Sequence, residues 1–358
     1  MSDLAAFLLT AVRFGEPIAL PDEAQLELLP LLAEFEGVAP WLYHQLKRSD
    51  GLAALPSGVA ERLRSAALDA VTWNLRVDDA AAAVIALLQS AGLPFVLLKG
   101  VARRALGGPH YHTLRRTADL DLLLPADAAP TAYDLLTRSG YERVYPDREH
   151  SPRHHHLAML WDERKVGVEL HTSLTQLMRP ELAWQRMSGT ARSVAWQGLQ
   201  VMVPSPTELA WTTLVQAPSD ALTLGFRLRE LLDFAVLYET GEVDWNEIAE
   251  RVGLSEAADA DSAEPVPERV LTTWIEAAIG RFDLLPLLRW RVRILATRQL
   301  RRGVAERLLC ESARVTLGLP PLPPPSWVSP PAYRWYLTGR VTRSAFRAWR
   351  AVRARGQA

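Results

Sequence analysis

The stretch from Phe95 to Leu124 constrains this chain more than any other: it reads FVLLKG, then loop and helix signal, then ADLDLLLP. An apolar run that ends in Lys99-Gly100 predicts a buried strand opening into a tight turn. The second apolar run carries Asp119 and Asp121 at strand spacing i, i+2. That period puts both carboxylates on one face, roughly 7 Å apart at Cα for a rise of about 3.3 Å per residue. Leu120 and Leu122 point the other way, into a core. Two acids in a greasy strand are costly unless something compensates their charge. A hard divalent cation is the usual compensator, so the pattern predicts metal-dependent chemistry on phosphate.

With 358 residues the chain is long enough for two or three domains and a sizeable core. Its 49% hydrophobic and 23% charged content are ordinary for a globular protein. A single cysteine, Cys310, excludes an intrachain disulfide and a multi-cysteine zinc site, and points to a reducing compartment. The N-terminal MSDLAAFLLTAVRFGEP has no basic leader, and no apolar run reaches the roughly 20 residues that a membrane span needs. The expected location is cytoplasmic, with no membrane partner.

The net charge of -1 hides an asymmetry: from Arg281 onward there are 16 arginines and no lysine against three acids, so the rest of the chain carries -14. Only three lysines occur, Lys47, Lys99 and Lys165. An arginine-rich composition discounts arginine counts as functional evidence and makes Lys99 the more notable.

Residues 1–90 read as a helical region, from apolar spacing in LAAFLLTAVRF and EAQLELLPLLAEF and from the alanine-rich stretch Ser65 to Leu88. Gly92 and Pro94 end that helix. Residues 91–205 read as an α/β core: two strands at FVLLKG and ADLDLLL, a helix around Ala128 to Arg138, a hairpin from HHLAML to VGVELH, and a last strand pair in SVAWQGLQVMVP. Residues 206–318 return to helix, with Thr207 as the expected N-cap and an acidic loop at 255–267. A proline-rich linker, 319–331, precedes a basic C-terminal segment, 332–358, with a helix from Arg343 to Arg353 carrying Phe346, Trp349 and Val352 on one stripe. We expect that helix to dock on the acidic remainder of the chain. There is no internal repeat.

A third acid lies on the hairpin. In Gly167-Val168-Glu169-Leu170-His171, Glu169 and His171 share one strand face. A hairpin symmetric about Glu163-Arg164 sets His171 opposite His156. Seven of the eight histidines, His110, His112, His150, His154, His155, His156 and His171, fall in this part of the chain and predict a polar site.

Two acids on one strand and a third on a neighbour, after a strand ending in a glycine turn, resemble the DNA polymerase β-like nucleotidyltransferase superfamily. More closely, LLKG…RRTADLDLL…VELH is similar to a family of bacterial nucleotidyltransferase-like proteins, over about residues 91–240. The resemblance implies an α/β (α+β) core with a mixed sheet, flanked by helical N-terminal and C-terminal regions. It implies transfer of a nucleoside monophosphate from an NTP to an acceptor hydroxyl or phosphate, with Mg²⁺ or Mn²⁺ as cofactor. Asp119, Asp121 and Glu169 would hold the metal, and Glu169 would take the acceptor proton. Lys99, Gly100, Arg115, Arg116 and His171 would meet the nucleotide. The superfamily's usual Gly-Ser or Gly-Gly is Lys99-Gly100 here, which puts an ammonium where a hydroxyl and backbone N–H groups normally hold phosphate.

Relatives of this kind accompany natural-product or peptide modification, and distant ones act on tRNA, so the acceptor class stays open among small molecules, peptides, proteins and RNA; DNA is not expected. One rival reading is a glycosyltransferase with a D-x-D metal site, which would need about a hundred residues of nucleotide-binding α/β before the motif, where this chain has helices. The other is a non-catalytic scaffold that binds a nucleotide or partner; the presence of all three acids speaks against it.

Overall fold

A computed structural model describes residues 26–107, 111–144, 155–175, 178–224, 228–239 and 241–252, with Cys310, Ala313 and Arg314. The histidines at 110, 150 and 154, the side chain of His112, the acidic loop at 255–267, the proline-rich linker and the basic helix with Phe346, Trp349 and Val352 lie outside the described residues. The chain divides into two compact units. One runs to Leu209 and includes Glu239–Gly241; the other comprises Ala210–Tyr238 and the chain from Glu242 on.

Among the described residues, the first unit opens with helices α1 (Leu29–Glu36), α2 (Ala39–Arg48) and the long α3 (Ser57–Ser90). Gly37 closes α1 in the left-handed region at φ 75°, where its N–H caps the last carbonyls. In α3 the buried stripe is Val59, Leu63, Ala67, Ala70, Asn74, Val77, Ala81, Val84 and Leu88, at three- and four-residue steps. Two polar side chains, Asn74 and Asp78, sit within the buried set of this helix. Gly92, at φ 67°, ends the helix region as its sequence predicts.

The core sheet is mixed and five-stranded, in the order β1-β2-β5-β4-β3. Strand β1 (Val96–Leu97) runs antiparallel to β2 (Asp119–Leu123), and β2 runs parallel to β5 (Gly167–His171). Between β1 and β2 lie α4 (Lys99–Gly107) and α5 (Tyr111–Leu114). Between β2 and β5 come α6 (Ala129–Arg138), β3 (Glu142–Arg143) and β4 (Leu160–Trp161). Strand β3 is a short exposed pairing of charged residues, without the alternation that would reveal it in the sequence. Central strand β2 is buried from Leu120 to Leu123, as a strand paired on both sides and covered by helices must be.

The β4–β5 hairpin turns about Arg164. The Asp162 carboxylate accepts the N–H groups of Arg164 (3.0 Å) and Val166 (2.7 Å), and Lys165 takes φ 62°. Leu160 accordingly faces Val168, a register half a step from one centred between Glu163 and Arg164. His156 nevertheless faces His171. The Leu157 N–H bonds Leu170 O (2.9 Å), so three steps from Leu157 to Leu160 oppose two from Leu170 to Val168. One extra residue, a bulge, restores the pairing.

Helix α7 (Pro180–Thr190) and a separate hairpin, β6 (Arg192–Trp196) and β7 (Leu199–Val203), follow. Gln197 and Gly198, both at positive φ, make its two-residue turn. Helix α8 (Pro206–Leu224) starts two residues earlier than Thr207 as cap would require. The Glu208 N–H bonds Ser205 Oγ at 3.2 Å, because proline fits the first helical position and pushes the cap back to Ser205. In the second unit, α9 (Leu228–Glu239) and α10 (Trp245–Arg251) follow, and Asp244 caps α10 through the Glu247 N–H at 3.0 Å. Among the described residues no helix is long and apolar enough to cross a membrane.

Candidate functional site

Parallel pairing sets Asp119 beside Gly167 and Asp121 beside Glu169. Partners in register point to the same side of a sheet, so Asp119, Asp121 and Glu169 share one face. Gly167 has a steric reason to be glycine. A Cβ there would come within 3.3 Å of both Asp119 Cβ and Met159 Sδ, so a larger residue would crowd the first aspartate.

Lys99 arrives from β1. The Leu98 N–H bonds Asp121 O (3.0 Å), and the next residue turns sharply, with Lys99 at φ 48°. A left-handed conformation costs a non-glycine residue roughly 1–2 kcal/mol. Here it aims the ammonium back over the sheet. Lys99 Nζ lies 2.6 Å from Asp121 Oδ1 and 3.9 Å from Glu169 Oε2. Gly100 then packs against Thr117, where a Cβ would fall 2.7 Å from Cγ2. Its smallness lets α4 approach the segment leading into β2.

His171 closes the cluster from within the core. Its side chain is 0% exposed, and Nε2 lies 2.7 Å from Asp121 Oδ1 and 3.3 Å from Glu169 Oε2. His155 and His156 pack around it, each with ring centroids 5.3 Å from that of His171. His156 Nδ1 is 2.7 Å from Leu157 O. The Nδ1 atoms of His155 and His171 are buried with no hydrogen-bond partner among the described residues.

Charge divides the two aspartates. Burial raises both carboxyls. At Asp121 the Lys99 ammonium and the hydrogen bond from His171 prevail and hold it far below the usual carboxylate range. At Asp119 burial and the Asp121 charge prevail over Lys99, and its carboxyl is pushed up to about 7. Burial also opposes ionisation of Glu169, but the His171 hydrogen bond and Lys99 keep it low. Lys99 is raised despite burial, by Asp121, Glu169 and Asp119 together. Burial and the Lys99 charge work against a charged His171, yet its bonds to Asp121 and Glu169 raise it; His155, buried without such partners, falls to about 3.

The donor atoms of Asp121, Glu169 and His171 lie within 4.8 Å of one another. The two carboxylates suit Mg²⁺ or Mn²⁺, while His171 Nε2 is engaged with both of them. Asp119, on the same face and prone to protonation without a nearby cation, adds to the negative charge on offer. The residues present therefore fit a divalent ion.

Arg115 and Arg116 lie in the segment just before β2. Asn74 Nδ2 bonds the Arg115 carbonyl at 2.9 Å, and the Arg116 guanidinium sits 4.1 Å over the Trp73 ring. This segment is anchored by residues that sequence reasoning did not single out. Arg104 on α4 bonds Asp78 Oδ1 through Nε (2.8 Å) and Nη2, and Thr117 Oγ1 through Nη1. The Thr117 N–H in turn bonds Asn74 Oδ1 at 2.8 Å. The available signal was Asn74 and Asp78, four apart, inside an alanine-rich apolar stripe.

No curated protein matches the chain. A family model does, described as uncharacterised nucleotidyltransferase and matched over residues 22–260. That span takes in α1 to α10, the mixed sheet and every member of the acid cluster, so the chain belongs to this nucleotidyltransferase family.

Proposed function

We propose that the protein moves a nucleoside monophosphate from an NTP to an acceptor hydroxyl or phosphate in a divalent-metal-dependent reaction, with release of pyrophosphate. The observation that carries this reading is the pairing of Asp121 with Glu169 on adjacent parallel strands beneath the Lys99 ammonium. Asp119, Asp121 and Glu169 would hold the metal, which when bound supplies positive charge to phosphate oxygens and lowers the pKa of the acceptor hydroxyl. Glu169 accepts the acceptor's proton. Lys99 and Arg115 offset charge on the departing pyrophosphate. His171, enclosed and bonded to two carboxylates, works as a positioning residue that fixes Asp121 and Glu169.

The acceptor is a small molecule, peptide, protein or RNA. Incubation with each α-labelled NTP, Mg²⁺ or Mn²⁺ and a cell extract tests the reading and names the acceptor class. Label is expected in a product heavier than its acceptor by one nucleoside monophosphate. Absence of transfer from all four NTPs with either metal, alongside nucleotide binding by calorimetry, would instead favour a nucleotide-binding scaffold.

A further inference from the structure

We propose that Lys99 occupies the cation position of this site when no metal is bound, and that metal entry requires its ammonium to leave. The inference rests on the metal-site reading above and adds a binding order to it.

The reason is saturation of one oxygen. Asp121 Oδ1 receives Lys99 Nζ at 2.6 Å and His171 Nε2 at 2.7 Å. A carboxylate oxygen has two lone pairs, so a metal that binds Oδ1 must displace one of these partners. The two differ in their freedom to go. His171 is 0% exposed, on a central strand, and holds Glu169 as well. The Lys99 side chain is 31% exposed on a four-carbon stem. Its backbone is fixed independently, by the Leu98–Asp121 hydrogen bond and by the tight fit of Gly100 on Thr117, so the ammonium can move without unfolding the turn. Lys99 is therefore the group that leaves.

Two consequences follow from charge. A monovalent ammonium already offsets part of the negative charge, so the free protein binds a bare divalent ion weakly. A triphosphate gives the displaced ammonium a new anionic partner, which makes entry of metal and nucleotide together more favourable than entry of metal alone. Nucleotide and metal binding become mutually strengthening through one side chain.

Mn²⁺ binding to the full-length protein, measured by calorimetry without nucleotide, tests the exchange. Lys99→Met keeps the stem and removes the charge. It is expected to bind Mn²⁺ roughly tenfold tighter than the wild type, the effect of removing one nearby positive charge. A non-hydrolysable NTP analogue is expected to tighten Mn²⁺ binding in the wild type by a larger factor than in Lys99→Met. Equal or weaker Mn²⁺ affinity in a folded Lys99→Met, or no binding by either protein, overturns the proposal.

Should Lys99→Met fail to fold, the wild type itself answers. With only three lysines in the chain, lysine-selective ¹⁵N labelling gives three ammonium signals. Saturating Mg²⁺ is expected to shift the Lys99 signal and speed its hydrogen exchange. A Lys99 signal unchanged at saturation overturns the exchange. Tight metal binding by Lys99→Met together with no transfer by the wild type from any NTP would keep this inference and remove the transferase reading, so the two fail separately.

Discussion

Two clusters of buried polar side chains meet the segment from Thr117 to Asp121, and they differ in how their charges close. In the first, Arg104 and Asp78 are each 1% exposed in their side chains, and Thr117 and Asn74 complete the hydrogen bonding. Arg104 meets Asp78, and the chain on either side is pinned. The second gathers Asp119, Asp121 and Glu169 around the Lys99 ammonium and the His171 imidazole, with Lys99 partly open to solvent and His171 Nδ1 buried without a partner among the described residues. The first cluster gains nothing from a further ligand. The second has negative charge in excess, which a small cation would relieve. A closed network supports structure, and an unbalanced one beside it is, on the proposed function, the place for chemistry.

The sharpest way to break this comparison is to remove the central acid. Asp121→Asn is expected to lower nucleotidyl transfer by at least roughly 10³-fold, the scale of losing a key electrostatic group. It also takes the anionic partner from Lys99 and His171, so the melting temperature should fall. Retained turnover by a folded Asp121→Asn would show that the excess charge is not the reactive feature.

The closed cluster should respond in stability alone. Arg104→Met removes the buried guanidinium that Asp78 bonds and is expected to cost about 3–5 kcal/mol in denaturant unfolding. The Asp78→Leu, Arg104→Met double variant should recover most of that loss, because both charges are gone. A double variant as unstable as the single one would mean that the pair does more than balance itself.

Asp119 offers a smaller, pH-dependent test. Its carboxyl in the folded protein is pushed up to about 7 from the ordinary aspartate value of 3.8. Below both values neither folded nor unfolded chain is charged at this residue, and it costs nothing. Between them the unfolded chain ionises first, so stability falls as pH rises from about 4 towards 7 and stays low above it. Asp119→Asn should flatten that part of the profile and raise the melting temperature at pH 8. Added Mg²⁺ should flatten it in the wild type too, by favouring the carboxylate. A wild-type profile that rises across this range would refute the assignment.

That the two aspartates should respond differently was not legible in the sequence, where D-x-D treats them alike. Strand period revealed what it can: the shared face of Asp119 and Asp121, and the third acid. Each depends on a regular two-residue repeat. Less regular features escaped. The bulge before Leu160 moved the turn centre to Arg164 while leaving the histidine pairing in place. The role of Arg104 escaped because arginine is common in this chain and its partner Asp78 lies 26 residues away on a helix that otherwise reads as alanine packing. Ser205 caps α8 because Pro206 is its first helical residue, a position that proline suits and that an expected cap at Thr207 does not take into account.

The smallest expected effect separates two adjacent arginines. Arg116 is exposed and lies over Trp73, 4.1 Å from the ring centroid. A cation on an aromatic face at an exposed site contributes about 0.5–1 kcal/mol, so Arg116→Ala should lower stability by about that amount. If stacking is its main task, the KM for NTP should stay within about twofold of the wild type, since the guanidinium is already engaged. Arg115 is held by its carbonyl to Asn74, and its Nη1 lies 3.4 Å from the Arg116 carbonyl; on the proposed function, in which its guanidinium offsets pyrophosphate charge, Arg115→Ala should raise that KM by more than Arg116→Ala does. Lysine at 116 should restore only part of the stability, because an ammonium lacks the flat guanidinium's stacking surface. A tenfold rise in KM for Arg116→Ala with unchanged stability would reverse the assignment: Arg116 would then belong with the nucleotide, and the boundary between the closed cluster and the reactive one would move one residue towards Trp73.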